Sequence, residues 1–517
     1  MKYYVTTAID YANAAPHIGH AYEKIAADIV ARYQRLLGKD VYFLTGTDEH
    51  GVKVEKAAAA AGLSPQAFVD DVASKFQLAW KKLGLTNDHF FRTTEPRHHD
   101  VVQEVFRKMK AKGDVYKGSY TGLYCEGCED FLRERDLKDG KCPNHLREPR
   151  AVKEENYFFK LTKYKPALKE WLTSADTHVK PDGRRQEVLN QLDDPELGDF
   201  SITRSRSSLT WGIPVPDEED QVIYVWIDAL TNYITGVGYL KDEAMWKKYW
   251  PADLHLIGKD ILKFHTIYWP AMLMSIDVEL PKMVFGHGFI TVEGQKMSKT
   301  LGNVLDPIYL CDRYGADAVR YFLFEANTFD QDGDFSRADM INKVNSHLAN
   351  GLGNLLNRVV TLLSKNFDGV VPEGTTDLSM LSTMIESSKK YHEYMADFEF
   401  AKAIKVIFEG IVDPANKFIN DQKPWTLFKD GKLAEGGAVL ATVMSLLKRA
   451  AILLAPFTPN LSEDIWKQLG VETPLSAVTV LSECYDKIEL TGAHVQNLGP
   501  VFKRIEENDD NAPGDKK

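Results

Sequence analysis

Met1-Lys-Tyr-Tyr-Val-Thr-Thr-Ala-Ile9, a loop holding Asn13 and Pro16, a run with Ile18, Tyr22, Ile25, Ile29 and Tyr33, then Gly38 and Val41-Tyr-Phe-Leu44: this opening decides the fold. The β-branched and aromatic residues from Tyr3 to Ile9 predict a strand. Apolar residues spaced three and four apart predict a helix from Ile18, with Gly38 as its stop. Val41 to Leu44 predicts a second buried strand, which runs into the polar Gly46-Thr-Asp-Glu-His-Gly51. Strand, helix and strand, with polar residues at the carboxyl end, form the repeating unit of a doubly wound parallel (Rossmann-type) α/β sheet.

Further along, the same character returns near Val222-Ile-Tyr-Val-Trp226, Leu254-His-Leu-Ile257 and Met283-Val-Phe285. Residues 116–222 therefore read as an insertion that splits one sheet domain into halves, 1–115 and 223–336. From 337 the pattern turns helical. Met340, Val344, Leu348, Leu352, Leu355, Leu356, Val359 and Leu363 form one stripe, and helices over 380–410 and 433–453 complete an all-α bundle spanning 337–500. The polar stretch ending in Asp515-Lys-Lys517 predicts a disordered tail over 501–517. No internal repeat is evident.

A length of 517 residues suits two to four domains, and 44% apolar with 26% charged residues suits a globular chain. The net charge of -11 excludes a surface coated in basic residues for indiscriminate nucleic-acid binding, yet permits a local basic track. The longest wholly apolar stretch, Ala450 to Phe457, is far short of the roughly 20 residues that span a bilayer. The opening reads directly as a strand with no leader before it, so a cytoplasmic protein that engages no membrane is expected.

Three of the five cysteines fall in one box, Cys125-x2-Cys128, thirteen residues, Cys142-x2-His145. Three thiolates and one imidazole make a closed tetrahedral Zn2+ site, structural because no position stays open. The competing reading is a remnant or redox knuckle that keeps the cysteines without the ion.

Two further motifs suit phosphate chemistry. His17 and His20 bracket Ile18-Gly19 at the mouth of the first helix, where unpaired N–H groups and the helix dipole attract anions. Gly19 lets a planar base approach the backbone. Lys296-Met-Ser-Lys-Thr300 lies between Gly294 and Gly302, so two lysines on a pliable loop can close over a triphosphate. Taken singly, these read as surface histidines and a solvated basic turn; taken together they support each other.

The pair of motifs resembles that of class I aminoacyl-tRNA synthetases, with Thr300 where serine is commoner. Ala8-Ile-Asp-Tyr-Ala-Asn13, Gly46 to Gly51, Tyr224-Val-Trp-Ile-Asp-Ala229, Ile257-Gly-Lys-Asp260 with Phe264-His265, and Pro424-Trp425 narrow the resemblance to the methionyl-tRNA synthetase family, over about residues 3 to 460. The resemblance implies ATP-dependent activation of L-methionine and transfer to tRNA-Met, initiator and elongator alike. It assigns ATP to His17, Gly19, His20, Gly258, Asp260, Ile290, Lys296 and Lys299, with catalysis by His17, His20, Lys296 and Lys299. Mg2+ accompanies ATP, held by its phosphates. The methionine pocket is implied to be Ile9, Tyr11, Asp48, Trp226, Ala229, Tyr233, Ile261 and His265. In it Asp48 pairs with the α-ammonium, Tyr11 and Trp226 enclose the thioether, and Tyr233 and His265 recognise sulfur by hydrogen bond. Leu230 stands where proline is common in some members.

By the same resemblance the zinc knuckle lies near the tRNA acceptor end, and the helical region binds the anticodon. Trp425 is implied to stack on a base and Arg358 to assist. The position of a base-reading asparagine holds His347, or the register is a step off. A monomer is expected. Leu, Ile and Val enzymes would carry a larger editing insertion than this chain has room for. A cysteine enzyme would place zinc in the amino-acid pocket. Outside the class, an inactive tRNA-binding protein or a small nucleotidylyltransferase would leave the intact lysines or the helical bundle without purpose.

Overall fold

The computed structural model describes the chain except residues 126–129, 133, 144–145, 176, 298–301, 375–376, 480–489 and 507–517. Strand Lys2–Thr7 lies inside a parallel sheet. Asp40–Asp48 pairs along one side, with Thr6 opposite Leu44, and Leu254–Gly258 along the other, with Thr7 opposite Leu256. His89–Arg92 extends the first side and Val284–His287 the second. Short Asp10–Tyr11 pairs with Thr47 and Asp48. Every strand in this sheet is parallel, so its carboxyl ends collect at one edge.

Two expectations need correction. Val222 to Trp226 is not a strand of this sheet. Glu218–Ile223 pairs antiparallel with Thr203–Ser205 and Pro214–Val215, and helix Val225–Thr235 begins at once after Tyr224. A short apolar run buried on all sides looks alike as strand or helix, and here the helix is buried along nearly its whole length. The insertion, in turn, is not separate from the sheet, because its Val179–Lys180 forms the edge strand beside Val284 and Phe285. The rest of the insertion holds an antiparallel sheet of Asp130–Leu132, Val115–Cys125, Arg150–Phe159 and Phe200–Ser201.

The stripe from Met340 to Leu363 is buried throughout, on a helical run Arg337–Val344, Asn345–Gly353 and Asn354–Asn366 whose middle segment is π-helical. The span 380–410 divides into Leu378–Ala396 and Phe400–Ile407, broken where Phe398 takes a φ of 61°. Helix Leu433–Leu454 is long and apolar enough to cross a membrane, yet 89% of its apolar window is buried, so it is the core of the bundle. In the tail, Ile505 and Asn345 exchange two hydrogen bonds of 2.8 Å, so 501–506 is tied to the bundle; 507–517 lies outside the described residues.

Helix Ile18–Leu36 is buried on almost every side, including at Glu23, Lys24 and Asp28. Buried charges need partners. Asp28 accepts from Arg32 at 2.7 Å, from the Thr86 N–H at 2.7 Å, and pairs with fully buried Arg320 at 2.7 Å. Arg320 also donates to the carbonyls of Leu83, Pro456 and Phe457, so one guanidinium fastens the first helix to the bundle. Burial works against the Asp28 charge, but the arginines outweigh it and hold the carboxyl at about 2. Replacing Arg320 by Met strands part of that charge and is expected to cost about 3–5 kcal/mol. Urea unfolding measures this; a midpoint equal to wild type would refute the joint.

Candidate active site

His17 is the N-cap of the first helix, and the structure gives the two histidines a more definite role than their spacing suggested. The Gly19 N–H donates to His17 Nδ1 at 3.1 Å and the His17 N–H to His20 Nδ1 at 3.2 Å. Their rings stack at 3.7 Å. A neutral ring that accepts through Nδ1 carries its proton on Nε2. Enclosure, neighbouring His17 and Lys24 push the His20 pKa well below its ordinary value, so His20 is a neutral Nε2–H donor at pH 7. The helix N-terminus is thus capped by the side chains that are candidates to meet phosphate, rather than left with bare N–H groups.

The second motif meets the first. Strand Ile290–Val292 turns sharply at Glu293 and Gly294, both with positive φ, and leads to Lys296 and Met297. A Cβ on Gly19 would stand 3.0 Å from the His17 ring and 3.2 Å from the Met297 methyl, so any larger residue would have to push one of them aside by a few tenths of an ångström. The Ile18 N–H donates to the Leu305 carbonyl at 3.0 Å, which lays the segment after the loop along the helix start. Lys296 is exposed and its charge bears on Asp260, next to Gly258 at the end of its strand. His17, Gly19, His20, Gly258, Asp260 and Lys296 are therefore gathered at one sheet edge, and Ile290 is buried beside the loop's root. Lys299 lies outside the described residues.

Beneath them sits a charge network that sequence reading missed. Buried Lys24 donates to the Ala8 carbonyl at 3.0 Å, to Asp10 at 2.5 Å and to Glu23 at 2.8 Å, and Glu23 meets His287 Nε2 at 3.0 Å. Burial raises the Asp10 carboxyl to about 7 against the pull of Lys24. Alternation of acid and base inside an apolar helix was the only sequence signal, and it looks like a solvated face.

On the other side of strand Lys2–Thr7, Trp226, Tyr233, Ile261 and His265 of the proposed amino-acid pocket are joined by direct contacts. Trp226 stacks on Phe264 at 3.7 Å and meets the His265 ring edge-on at 6.5 Å. Tyr233 Oη lies 2.7 Å from His265 Nε2, and His265 Nδ1 3.0 Å from the Ile261 carbonyl. Burial lowers His265 to about 4, so the ring is neutral; a carbonyl only accepts, which puts the proton on Nδ1 and makes Nε2 the acceptor for the Tyr233 hydroxyl. Ile9 and Tyr11 flank the end of the central strand, Ala229 shares the Trp226 helix, and Asp48 is buried at the end of its own strand. Phe264, quoted with His265 as a motif, was not assigned to the pocket, although its place one residue before His265 was the available signal.

Cys125 ends its strand and Cys142 sits in a turn where the Leu146 N–H donates to the Cys142 carbonyl at 2.7 Å; both thiols are buried. Cys128 and His145 lie outside the described residues, among which no three His, Cys, Asp or Glu side chains are arranged to hold a metal ion. In the bundle, the Arg358 guanidinium lies 5.5 Å over the half-exposed Trp425 ring and donates to Asn420 at 2.7 Å. The structure does not bring His347 to this pair: it is bonded to Tyr321 at 2.8 Å and packed on Phe408, and eleven residues along a helix put it roughly 16 Å from Arg358.

A parallel sheet whose carboxyl edge joins a histidine-capped helix to a lysine loop, followed by a helical bundle, defines a class I aminoacyl-tRNA synthetase. Residues 3–151 and 145–360 match the family model described as tRNA synthetases class I (M), and 377–498 match that of the anticodon-binding domain of tRNA ligase. The methionine–tRNA ligase of Thermotoga maritima is 45% identical over 98% of this chain and 81% of its own length; that of a Nostoc species is 42% identical over 97% of each. Mycobacterium tuberculosis methionyl-tRNA synthetase in complex with methionyl-adenylate superposes with a TM-score of 0.92 at 39% identity, covering 97% of this chain and all of that one; its free-state form gives 0.85 at 35%. This chain belongs to the methionine-specific family of class I tRNA synthetases.

The neutral His265 has a consequence for acid stability. Its folded pKa lies below the unfolded one, so the unfolded chain binds the extra proton first, and stability is lost as pH falls from about 6.5 to about 4. The loss from this residue is about 3 kcal/mol. His265→Gln is expected to flatten that part of the urea-stability profile; an unchanged slope would show the ring titrating elsewhere.

Proposed function

We propose that the chain joins L-methionine and ATP into methionyl-adenylate, releasing pyrophosphate, and passes the methionyl group to the 3′-terminal adenosine of tRNA-Met, releasing AMP. The observation that carries this reading is the nearness of the Met297 methyl to Gly19, 3.2 Å from where a Cβ there would stand, which brings Lys296 and Met297 to the helix start. The methionine carboxylate attacks the α-phosphorus. His17 and His20 donate Nε2–H to the charge that develops on phosphate, while Lys296 and Lys299 neutralise the leaving pyrophosphate. Because the His20 imidazole is neutral, it acts by hydrogen bonding and positioning rather than by proton transfer. Mg2+ enters with ATP on its phosphates.

Ile9, Tyr11, Asp48, Trp226, Ala229, Tyr233, Ile261 and His265 form the methionine pocket in this reading, Asp48 taking the ammonium end. Cys125, Cys128, Cys142 and His145 would hold one structural Zn2+; two buried thiols in a small knuckle suit it, and the ion would brace the insertion. At the anticodon, Arg358 and Trp425 act with Asn420. Asn354, exposed and one turn before Arg358, serves as the base-reading amide in place of His347. The enzyme works as a cytoplasmic monomer.

Lys296→Ala is expected to slow methionine-dependent ATP–pyrophosphate exchange by about 100-fold or more, the scale of a lost transition-state contact. Methionine KM should change little. Equal losses in both would remove the loop from the chemistry. Exchange that responds to another amino acid instead of methionine would overturn the reading itself. Chelation should release zinc while leaving most of the exchange activity.

A further inference from the structure

Two motifs near the pocket, Gly46 to Gly51 and Tyr224 to Ala229, contain His50 and Asp228, which take no part in the chemistry above. Asp228 is buried on helix Val225–Thr235, two residues from Trp226 and adjacent to Ala229. His50 is buried two residues beyond Asp48. His50 Nδ1 donates to Asp228 Oδ2 at 2.7 Å, and His98 Nε2, from helix Pro96–Ala111, to Asp228 Oδ1 at 2.8 Å. His98 Nδ1 is hydrogen-bonded to Thr235 Oγ1 at 3.0 Å, and the Trp211 ring lies 5.4 Å from His50. A carboxylate this deep is expensive unless each oxygen is bonded, and here each oxygen has its own imidazole.

The loop carrying Asp48 is pinned on its other sides too. The Glu49 carboxylate pairs with Arg92 at 2.6 Å, the Glu49 N–H donates to Thr93 Oγ1 at 2.9 Å, and the Glu49 carbonyl accepts from Trp211 Nε1 at 2.6 Å. The His50–Asp228 bond is the direct link between this loop and the helix that holds Trp226, Ala229 and Tyr233. It thus spans the pocket from the ammonium end to the thioether end.

We propose that Asp228, held between His50 and His98, is a positioning residue that fixes the length of the methionine pocket and so its discrimination among amino acids differing by one methylene. The proposal rests on the pocket assignment above. An aspartate shared by two imidazoles cannot slide along either without leaving an N–H unsatisfied. The distance from Asp48 to the Tyr233–His265 pair is therefore set by short, charge-assisted bonds rather than by apolar contacts that yield by fractions of an ångström. A hydrophobic pocket alone separates such homologues weakly, so a rigid length is what adds selectivity.

In Asp228→Asn one amide edge presents N–H to an imidazole N–H, and one bond is lost. His50→Leu removes the cross-pocket bond while leaving Asp228–His98 intact, and His50→Asn retains a donor where Nδ1 stood. In pyrophosphate exchange, D228N and H50L are expected to raise methionine KM about tenfold, with kcat and ATP KM nearly unchanged. They should reduce the preference for methionine over ethionine by about tenfold, within the range one methylene commands. H50N should recover most of both. If folded D228N and H50L keep wild-type methionine KM and preference, or lose only kcat equally for both amino acids, the cluster is core packing and the proposal fails. Should D228N not fold, H50L against H50N decides alone. If the wild-type protein shows no methionine-dependent exchange, the pocket assignment is what has failed.

Discussion

Parallel pairing of Lys2–Thr7 with Leu254–Gly258 is the interaction on which the rest depends. About 250 residues separate the two strands, and the closure entropy of that loop must be met by the sheet and the layers covering it. The insertion lowers the difficulty by folding within itself, through antiparallel pairs between neighbouring segments, and by lending Val179–Lys180 to the sheet edge. Once the pairing forms, Ile9, Tyr11, Asp48, Gly258 and His287 are delivered to the same edge without any further loop ordering. A parallel sheet does this because all its strands end on one side; an antiparallel sheet would have scattered them.

The second constraint is the burial of a charged helix. Glu23, Lys24 and Asp28 lie inside because helix Ile18–Leu36 is covered by the sheet on one side and by the bundle on another. Each charge is met by a partner from a different element: Lys24 by Asp10 beside its own helix neighbour Glu23, Glu23 also by a hydrogen bond with His287, Asp28 by Arg320. The helix is therefore electrostatically keyed at two points, to the sheet edge near its start and to the bundle near its middle. Removal of any one partner would expose a buried charge, which costs more than the pair itself contributes.

The parts legible in sequence were those fixed by period or by close-range chemistry. The three-and-four spacing from Ile18 gave the helix, the stripe from Met340 gave the long helical run, and the motifs gave the nucleotide edge. What was hidden shares one cause: its meaning lies in a partner far along the chain. Val222 to Trp226 looked like a strand because five apolar residues suit any buried element, and only Tyr224 being extended marks the helix start. His347 was placed by resemblance, with its register left open, and the structure sets it apart from Arg358 and Trp425, where Tyr321 and Phe408 claim it. The histidine cap and the Lys24 network needed coordinates, because hydrogen-bond direction cannot be read from spacing.

The proton count in the thioether end of the pocket alters how selection works there. The sequence suggested that Tyr233 and His265 would both offer a hydrogen bond to sulfur. In the structure the Tyr233 proton goes to His265 Nε2 and the His265 proton to the Ile261 carbonyl. Neither donor is left for a weak acceptor such as a thioether. In the proposed pocket sulfur would instead meet ring faces, those of Tyr11 and Trp226, where polarizability favours it over a methylene of similar size. A neutral, internally satisfied pair serves that purpose better than an open one: it presents no unmet donor, so a polar side chain entering the pocket gains nothing for the water it leaves behind.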